Sequence, residues 1–119
     1  MPSSFCYSEL HTKDLARAKA FYAELFGWKF EDMPMPPGFL YATLATGGAV
    51  NGGAMQEADA QPMWLTYVNV DDVEKSAERA VQLGAKLLTG KTPVPEMGWF
   101  AVLTDPTGAR IALWEPVKK

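Results

Sequence analysis

Three polar side chains near the start of the chain have the types and spacing that acid–base chemistry requires. Tyr7, Glu9 and His11 occupy every second position of the segment FCYSELHT. Alternate residues of a β-strand point to the same face, so a strand here presents these side chains together. A carboxylate can act as acid, base or hydrogen-bond acceptor, and an imidazole titrates near neutral pH. The segment therefore contains two candidate catalytic residues, Glu9 and His11.

Each candidate also has a structural explanation, and the sequence leaves both open. His11 lies near the end of the predicted strand, close to a helix cap, where a histidine can simply be solvated. Glu9 can pair with Arg110, which lies on the same face of the last predicted strand as Ala112 and Trp114.

The chain also contains two segments that share one helical sequence pattern. The first, DLARAKAFYAELFGW, begins at Asp14, and the second, DDVEKSAERAVQLGA, begins at Asp71 or Asp72. Both open with an acidic N-cap candidate and end at a glycine, Gly27 or Gly84. Their predicted apolar faces are Leu15, Ala18, Tyr22 and Leu25 in the first helix, and Val73, Ala77, Ala80 and Leu83 in the second.

Short β-prone segments surround both helices in the same order. The predicted strands span 5–12, 28–32, 39–46, 49–56, 62–70, 85–89, 99–104 and 109–115. Proline-rich loops are predicted at Met33–Gly38 and Thr92–Gly98. Gly52 and Gly53 interrupt the fourth strand, which indicates a bulge or the close approach of another backbone or a ligand.

The order βαβββ therefore occurs twice, which predicts an α+β fold of two repeats. We expect one domain over 1–119, with a first module at 5–56, a second at 62–116 and a polar linker at 57–61. Two half-sheets of this kind are expected to form a cup, with the helices on its outer face.

Composition excludes several classes of protein. An apolar content of 48% argues against disorder, and a net charge of −3 without a Lys/Arg cluster argues against nucleic-acid binding. The single cysteine, Cys6, cannot form an internal disulfide, and its apolar surroundings favour a buried thiol. No signal peptide or apolar run of membrane-spanning length is found, so we expect a soluble cytoplasmic protein that does not bind membranes.

Three segments resemble the vicinal oxygen chelate superfamily, which includes glyoxalase I, bleomycin-resistance proteins and extradiol dioxygenases. They are ELHTKDLARAKAFYAELFGW, YVNVDDVEKSAERAVQLGAK and DPTGARIALWEP. The resemblance extends from Phe5 to Pro116 and implies the cupped fold. It is less specific for activity, because this scaffold serves lyases, isomerases, dioxygenases and drug-binding proteins.

The resemblance also implies where metal ligands belong in this chain. They fall on Tyr7, on Leu65, on Ala112 and on a fourth-strand position near Gly53–Met55. Leucine and alanine have no ligand atom, and neutral tyrosine is a poor ligand. A site of two histidines and one carboxylate needs two imidazoles, but the chain has one histidine. No metal cofactor is therefore predicted.

The remaining expectation is a small apolar or aromatic ligand held in the cup. The predicted ligand-binding residues are Tyr7, Glu9, Leu65, Tyr67, Arg110, Ala112 and Trp114. The same aromatic side chains can instead simply fill the space between the half-sheets. A glyoxalase-like lyase, a dioxygenase, a metal-free isomerase that uses Glu9 or His11, and a non-catalytic interaction module all stay open. Short chains of this fold resemble proteins that dimerise, so we expect a homodimer.

Overall fold

The computed structural model describes residues 3–59 and 61–118 of the chain. Its elements are β1 (Phe5–Thr12), α1 (Leu15–Phe26), β2 (Lys29–Asp32), β3 (Leu40–Ala45), β4 (Asn51–Gln56), β5 (Met63–Asn69), α2 (Val73–Gln82), β6 (Lys86–Val94), β7 (Gly98–Thr104) and β8 (Arg110–Pro116). The predicted order βαβββ, repeated once, is therefore confirmed. Position 60 of the predicted linker, and positions 1, 2 and 119 of the predicted domain, lie outside the described residues.

The chain divides into two compact units. The first unit, Tyr7–Leu65, contains α1 and strands in the order β2-β3-β4-β1, with β1 and β4 parallel and the other pairs antiparallel. The second unit, residues 3–6 and 66–118, contains α2 and the order β5-β8-β7-β6, with β5 and β8 parallel. Both units thus have the same strand arrangement, as the sequence repeat predicts.

Helix α1 begins and ends at the residues that its sequence indicates. The Asp14 carboxylate accepts a hydrogen bond from the Arg17 backbone N–H at 3.1 Å, and Gly27 ends the helix in the left-handed conformation (φ 72°). The Gln56 side chain accepts from the Leu15 backbone N–H at 2.9 Å. This bond attaches the start of α1 to the end of β4.

Helix α2 repeats this arrangement. The Asp72 carboxylate accepts from the Lys75 backbone N–H at 3.0 Å, which decides between the two predicted caps. The Glu115 carboxylate, at the end of β8, accepts from the Val73 backbone N–H at 2.9 Å. Glu115 therefore stabilises the start of α2.

Each unit packs its helix against one face of its own strands. In the first unit the buried residues Leu10, Leu15 and Ala54 pack with Ala18, Tyr22, Phe30 and Trp64. In the second, Val70, Val73 and Ala101 pack with Val68, Trp99 and Leu113.

Two leucines of the predicted apolar faces are exposed. Leu25 is 57% exposed and Leu83 is 62% exposed. Each lies ten residues after the first core residue of its helix, a separation that rotates it about 80° around the axis at 3.6 residues per turn. The predicted faces were therefore one turn too long.

The second proline-rich loop is shorter than predicted. Strand β6 continues to Val94, and Pro93 pairs with Trp99 of β7. Within the second unit β6 is an edge strand, and a proline on the unpaired side of an edge strand loses no hydrogen bond to a neighbouring strand. The register of the β6–β7 pairing also shifts after Leu87 and after Thr89, which accommodates the irregular backbone of β6. Within the described residues, neither helix is long and apolar enough to cross a membrane.

Candidate functional site

Strand β1 presents Tyr7, Glu9 and His11 on the face of the first unit's sheet that is remote from α1. Leu10 packs under α1, and the residues that alternate with it point to the other face. The predicted grouping of these three side chains is therefore observed. Together with Tyr41 of β3 they form the Glu9 cluster.

Glu9 is the charged residue at the centre of this cluster and is only 8% exposed. The Tyr41 hydroxyl donates to Glu9 Oε2 at 2.8 Å, and His11 Nε2 lies 2.8 Å from Glu9 Oε1. The Tyr7 and Tyr41 hydroxyl oxygens are 2.6 Å apart. Because Tyr41 gives its only hydroxyl proton to Glu9, Tyr7 is the donor in the tyrosine pair.

The environment of the two tyrosines keeps them neutral. Burial, and then the negative charge of Glu9, raise the pKa of Tyr41 far above its usual value. Burial also raises the pKa of Tyr7, although its hydrogen bond to Tyr41 opposes the shift. Both side chains therefore remain hydrogen-bond donors at neutral pH.

His11 connects the buried carboxylate to a more exposed one. Its Nδ1 lies 3.6 Å from Glu57 Oε1, while its Nε2 faces Glu9. The side chain of Glu57 is 47% exposed, against 10% for that of Glu9. The imidazole thus lies between a buried and a solvated carboxylate, an arrangement that can carry a proton between them.

The two glycines of β4 explain why the cluster fits on this sheet. Gly53 pairs with Glu9 and Thr43, and a Cβ atom there would overlap the hydroxyl groups of Tyr7 and Tyr41. A Cβ atom at Gly52 would overlap the carbonyl oxygen of a β1 residue.

The prediction of a close approach at these glycines is confirmed. The predicted alternative, a bulge, is absent from the described β1–β4 pairing, which is continuous from Tyr7 to Thr12.

The other predicted ligand-binding residues lie on β5 and β8. Leu65 is buried in the first unit, whereas Tyr67 and Ala112 are paired and buried in the second. Trp114 pairs with Phe100, and Arg110 lies at the exposed start of β8. The contribution of these residues to ligand binding, and the predicted pairing of Glu9 with Arg110, stay predictions.

Sequence reasoning missed Tyr41. It lies 32 positions from Glu9, and its contact depends on the sheet order β3-β4-β1. One signal was present in the sequence. Tyr41 and Thr43 are alternate residues of one strand and so lie on the same face of it, and that strand can pair with β4, which contains the two glycines.

The family of this chain follows from its sequence profile. The profile of the glyoxalase-like domain matches residues 7–114, which span both βαβββ repeats. The chain belongs to the glyoxalase-like domain family. This places it in the vicinal oxygen chelate superfamily, in agreement with the resemblance noted from the motifs.

Relatives and solved structures of this family extend the comparison. The chain is 36% identical to the "Putative glyoxylase CFP32" of Mycobacterium bovis over 113 residues, 90% of this chain and 43% of the relative. It is 24% identical to the "Anthracycline biosynthesis protein DnrV" of Streptomyces peucetius, over 95% of this chain and 47% of that protein. The chain thus spans less than half the length of these relatives.

Among solved structures, a methylmalonyl-CoA epimerase of Streptomyces coelicolor in complex with 2-nitronate-propionyl-CoA superposes with a TM-score of 0.72. The identity is 15%, and the alignment covers 99% of this chain and 100% of the epimerase. This similarity supports the glyoxalase-like fold alone.

At the positions that the superfamily resemblance assigns to metal ligands, the residues of this chain do not fit a divalent ion. Leu65 and Ala112 offer no donor atom and are 1% and 0% exposed. The Tyr7 hydroxyl stays protonated and is hydrogen-bonded to Tyr41. Across residues 3–59 and 61–118, no three His, Cys, Asp or Glu side chains are grouped so that they could hold a metal ion.

Proposed function

We propose that this glyoxalase-like domain binds a small aromatic molecule at the Glu9 cluster without a metal ion. The observation that carries the proposal is the buried carboxylate of Glu9, which the hydroxyl of Tyr41 and the imidazole of His11 hold in place. Polar groups that are fixed in this way can orient a ligand and give it specificity.

The chemistry of the cluster favours one class of ligand. Ionised Glu9 accepts hydrogen bonds but cannot donate them, so it favours a ligand with an O–H or N–H donor. The same negative charge disfavours an anionic ligand, because the buried site screens repulsion poorly. The tyrosine rings of Tyr7 and Tyr41 add apolar surface beside the carboxylate. A planar, uncharged aromatic molecule with one donor group matches these properties.

A second candidate function is proton transfer, as in a metal-free isomerase. The specific support is the position of His11, 2.8 Å from the buried Glu9 and 3.6 Å from the exposed Glu57. In this scheme Glu9 removes a proton from carbon and His11 passes protons to and from solvent. The scheme uses the same binding site and adds a reaction to it.

Thermal unfolding with matched two-ring compounds tests the binding proposal. We expect 2-naphthol to raise the midpoint temperature and naphthalene-2-sulfonate, its anionic counterpart, to leave it unchanged. A ligand at 100 times its Kd stabilises by about 2.7 kcal/mol, which a domain of this size reports as a midpoint shift of about 10 °C. Glu9→Gln should remove most of the shift, and Glu78→Gln, on the exposed face of α2, should retain it.

Two results would contradict the proposal: equal shifts for naphthol and sulfonate, or a naphthol shift that Glu9→Gln leaves intact. Proton transfer has a separate readout, the exchange of a bound ligand's C–H protons with deuterated water. Exchange that His11→Ala abolishes while naphthol still binds would favour the isomerase.

A further inference from the structure

A cavity of about 140 Å³ lies on the opposite side of the first unit's sheet from the Glu9 cluster. Ser8 lines it from β1, and Ser8 alternates with Tyr7 and Glu9 and therefore points to the other face. Its lining residues are Ser8, Trp28, Leu44, Thr46, Val50, Asn51, Gly52 and Trp64. The two sites thus share strands but no lining side chain.

Two tryptophans form the aromatic walls of this cavity. The rings of Trp28 and Trp64 are 6.1 Å apart and nearly perpendicular, at 86°. Tyr22 fixes both of them: its ring stacks on Trp28 at 5.6 Å, and its hydroxyl accepts a hydrogen bond from Trp64 Nε1 at 3.1 Å. Because Tyr22 holds both rings by stacking and by a hydrogen bond, binding need not order these walls.

The floor and the mouth of the cavity differ in character. The floor consists of Leu44, which is 3% exposed, and the buried Gly52. The mouth includes Val50, which is 40% exposed, while Ser8 and Asn51 contribute an uncharged hydroxyl and amide. No lining residue carries a charge.

We propose that this cavity is a second binding site, for a neutral single-ring aromatic molecule of phenol size. Its volume is close to that of apolar cavities of about 150 Å³ that bind benzene. Perpendicular tryptophan rings let a third ring make edge-to-face and offset contacts, the arrangements that aromatic pairs prefer. The hydroxyl and the amide give one polar substituent a hydrogen-bonding partner. This site is separate from the one in the proposed function and does not depend on it.

Nuclear magnetic resonance of the tryptophan indole N–H groups tests this site with phenol as the probe. The chain has four tryptophans, so Trp99 and Trp114 of the second unit serve as internal references. We expect phenol to shift the Trp28 and Trp64 signals saturably while the reference signals stay in place. Cyclohexanol, which has the same hydroxyl but no aromatic ring, should bind at least ten-fold more weakly.

Matched variants locate the binding. Val50→Phe places a larger side chain at the mouth and should weaken phenol binding at least ten-fold, whereas Val81→Phe, on the comparably exposed surface of α2, should leave it unchanged. Glu9→Gln should also leave the Trp28 and Trp64 shifts unchanged, which separates this site from the Glu9 cluster. Linear shifts spread over all four tryptophans, or saturable shifts that Val50→Phe does not weaken, would overturn the proposal.

Discussion

At the scale of residues, Glu9 is a charged group that is buried and has hydrogen-bond partners. Removing a carboxylate from water is unfavourable unless hydrogen bonds replace its hydration. Here Tyr41 and His11 supply them, and Tyr7 holds Tyr41 in place. The four side chains therefore form one interdependent network, and changes at one of them should be felt at the others.

Replacing Tyr41 by phenylalanine tests the strength of this network. The variant keeps the ring but removes the donor to Glu9 Oε2, leaving a buried acceptor short of one partner. We expect the free energy of unfolding to fall by about 1–3 kcal/mol in urea denaturation. Thr43→Val, on the same strand and outside the network, removes only a long, exposed hydrogen bond to the Glu31 carbonyl (3.4 Å) and should change the free energy of unfolding by less than about 0.5 kcal/mol. A Tyr41→Phe protein as stable as the original would show that the bond contributes nothing.

Alkaline pH should destabilise the fold through the same tyrosine. The pKa of Tyr41 is raised in the folded state, whereas in the unfolded chain it lies near 10. Its stabilising contribution is therefore complete below about pH 10 and is lost as the pH rises further, by about 1.4 kcal/mol per pH unit. Urea unfolding between pH 8 and 11 should show a steeper loss for the original protein than for Tyr41→Phe. Parallel curves would contradict the raised pKa.

The residues of this site were only partly predictable from the sequence. Tyr7, Glu9 and His11 lie on one strand, so local alternation alone placed them on a common face. Tyr41 depends on strand order, and the partner of Glu9 depends on which donor lies nearest in space. The alternation of residues along one strand indicates neither the order of the strands in the sheet nor which distant donor lies near Glu9.

At the scale of elements, β4 makes room for the site because Gly53 has no side chain. A side chain at Gly53 would occupy the space of the Tyr7 and Tyr41 hydroxyls. We expect Gly53→Ala to separate these hydroxyls from each other and from Glu9, at a cost of about 1–3 kcal/mol. It should also abolish the thermal shift with 2-naphthol. Gly48→Ala, in the preceding turn where an added Cβ makes only ordinary contact, is the control. Unchanged naphthol binding in Gly53→Ala would refute this role.

The two helix caps should contribute similarly, because the repeats are equivalent. Asp14 and Asp72 each accept a hydrogen bond from the backbone N–H three positions later. Asp14→Ala and Asp72→Ala should each lower the free energy of unfolding by about 1 kcal/mol, measured by urea denaturation. If only one of the two variants lost stability, the additional hydrogen bonds that Gln56 and Glu115 accept at the two helix starts would not be equivalent.

Element boundaries were predictable where a local signal marks them. Asp14 and Gly27 delimit α1 because capping is a property of a few adjacent residues. Leu25 and the end of β6 were mispredicted because exposure and strand pairing depend on neighbours distant in sequence. The errors thus fall where tertiary structure decides the outcome.

At the scale of the whole molecule, several large apolar side chains lie at the surface. Within residues 3–59 and 61–118, the large apolar side chains that are more than half exposed are Phe5, Phe21, Leu25, Phe26, Leu40, Leu83 and Met97. Where exposed apolar side chains form a contiguous patch, the patch often marks contact with another protein. In light scattering after size exclusion we expect twice the mass of one chain, in line with the predicted homodimer. A mass of 13.0 kDa across the micromolar range would contradict it.

The repeated βαβββ pattern made the fold predictable, whereas the proposed function depends on a few side chains of that fold. Leu65 and Ala112 lie at positions that the superfamily resemblance assigns to metal ligands, so we propose a ligand site that works without metal. At this site we expect Glu9 to bind an uncharged aromatic donor directly.

Isothermal titration of metal-stripped protein with 2-naphthol tests that claim most directly. After dialysis against a chelator, we predict saturable binding with one site per Glu9 cluster, weakened at least ten-fold in Glu9→Gln. Binding that appears only after Ni²⁺, Zn²⁺, Fe²⁺ or Mn²⁺ is restored, or that is equally strong in Glu9→Gln, would contradict it.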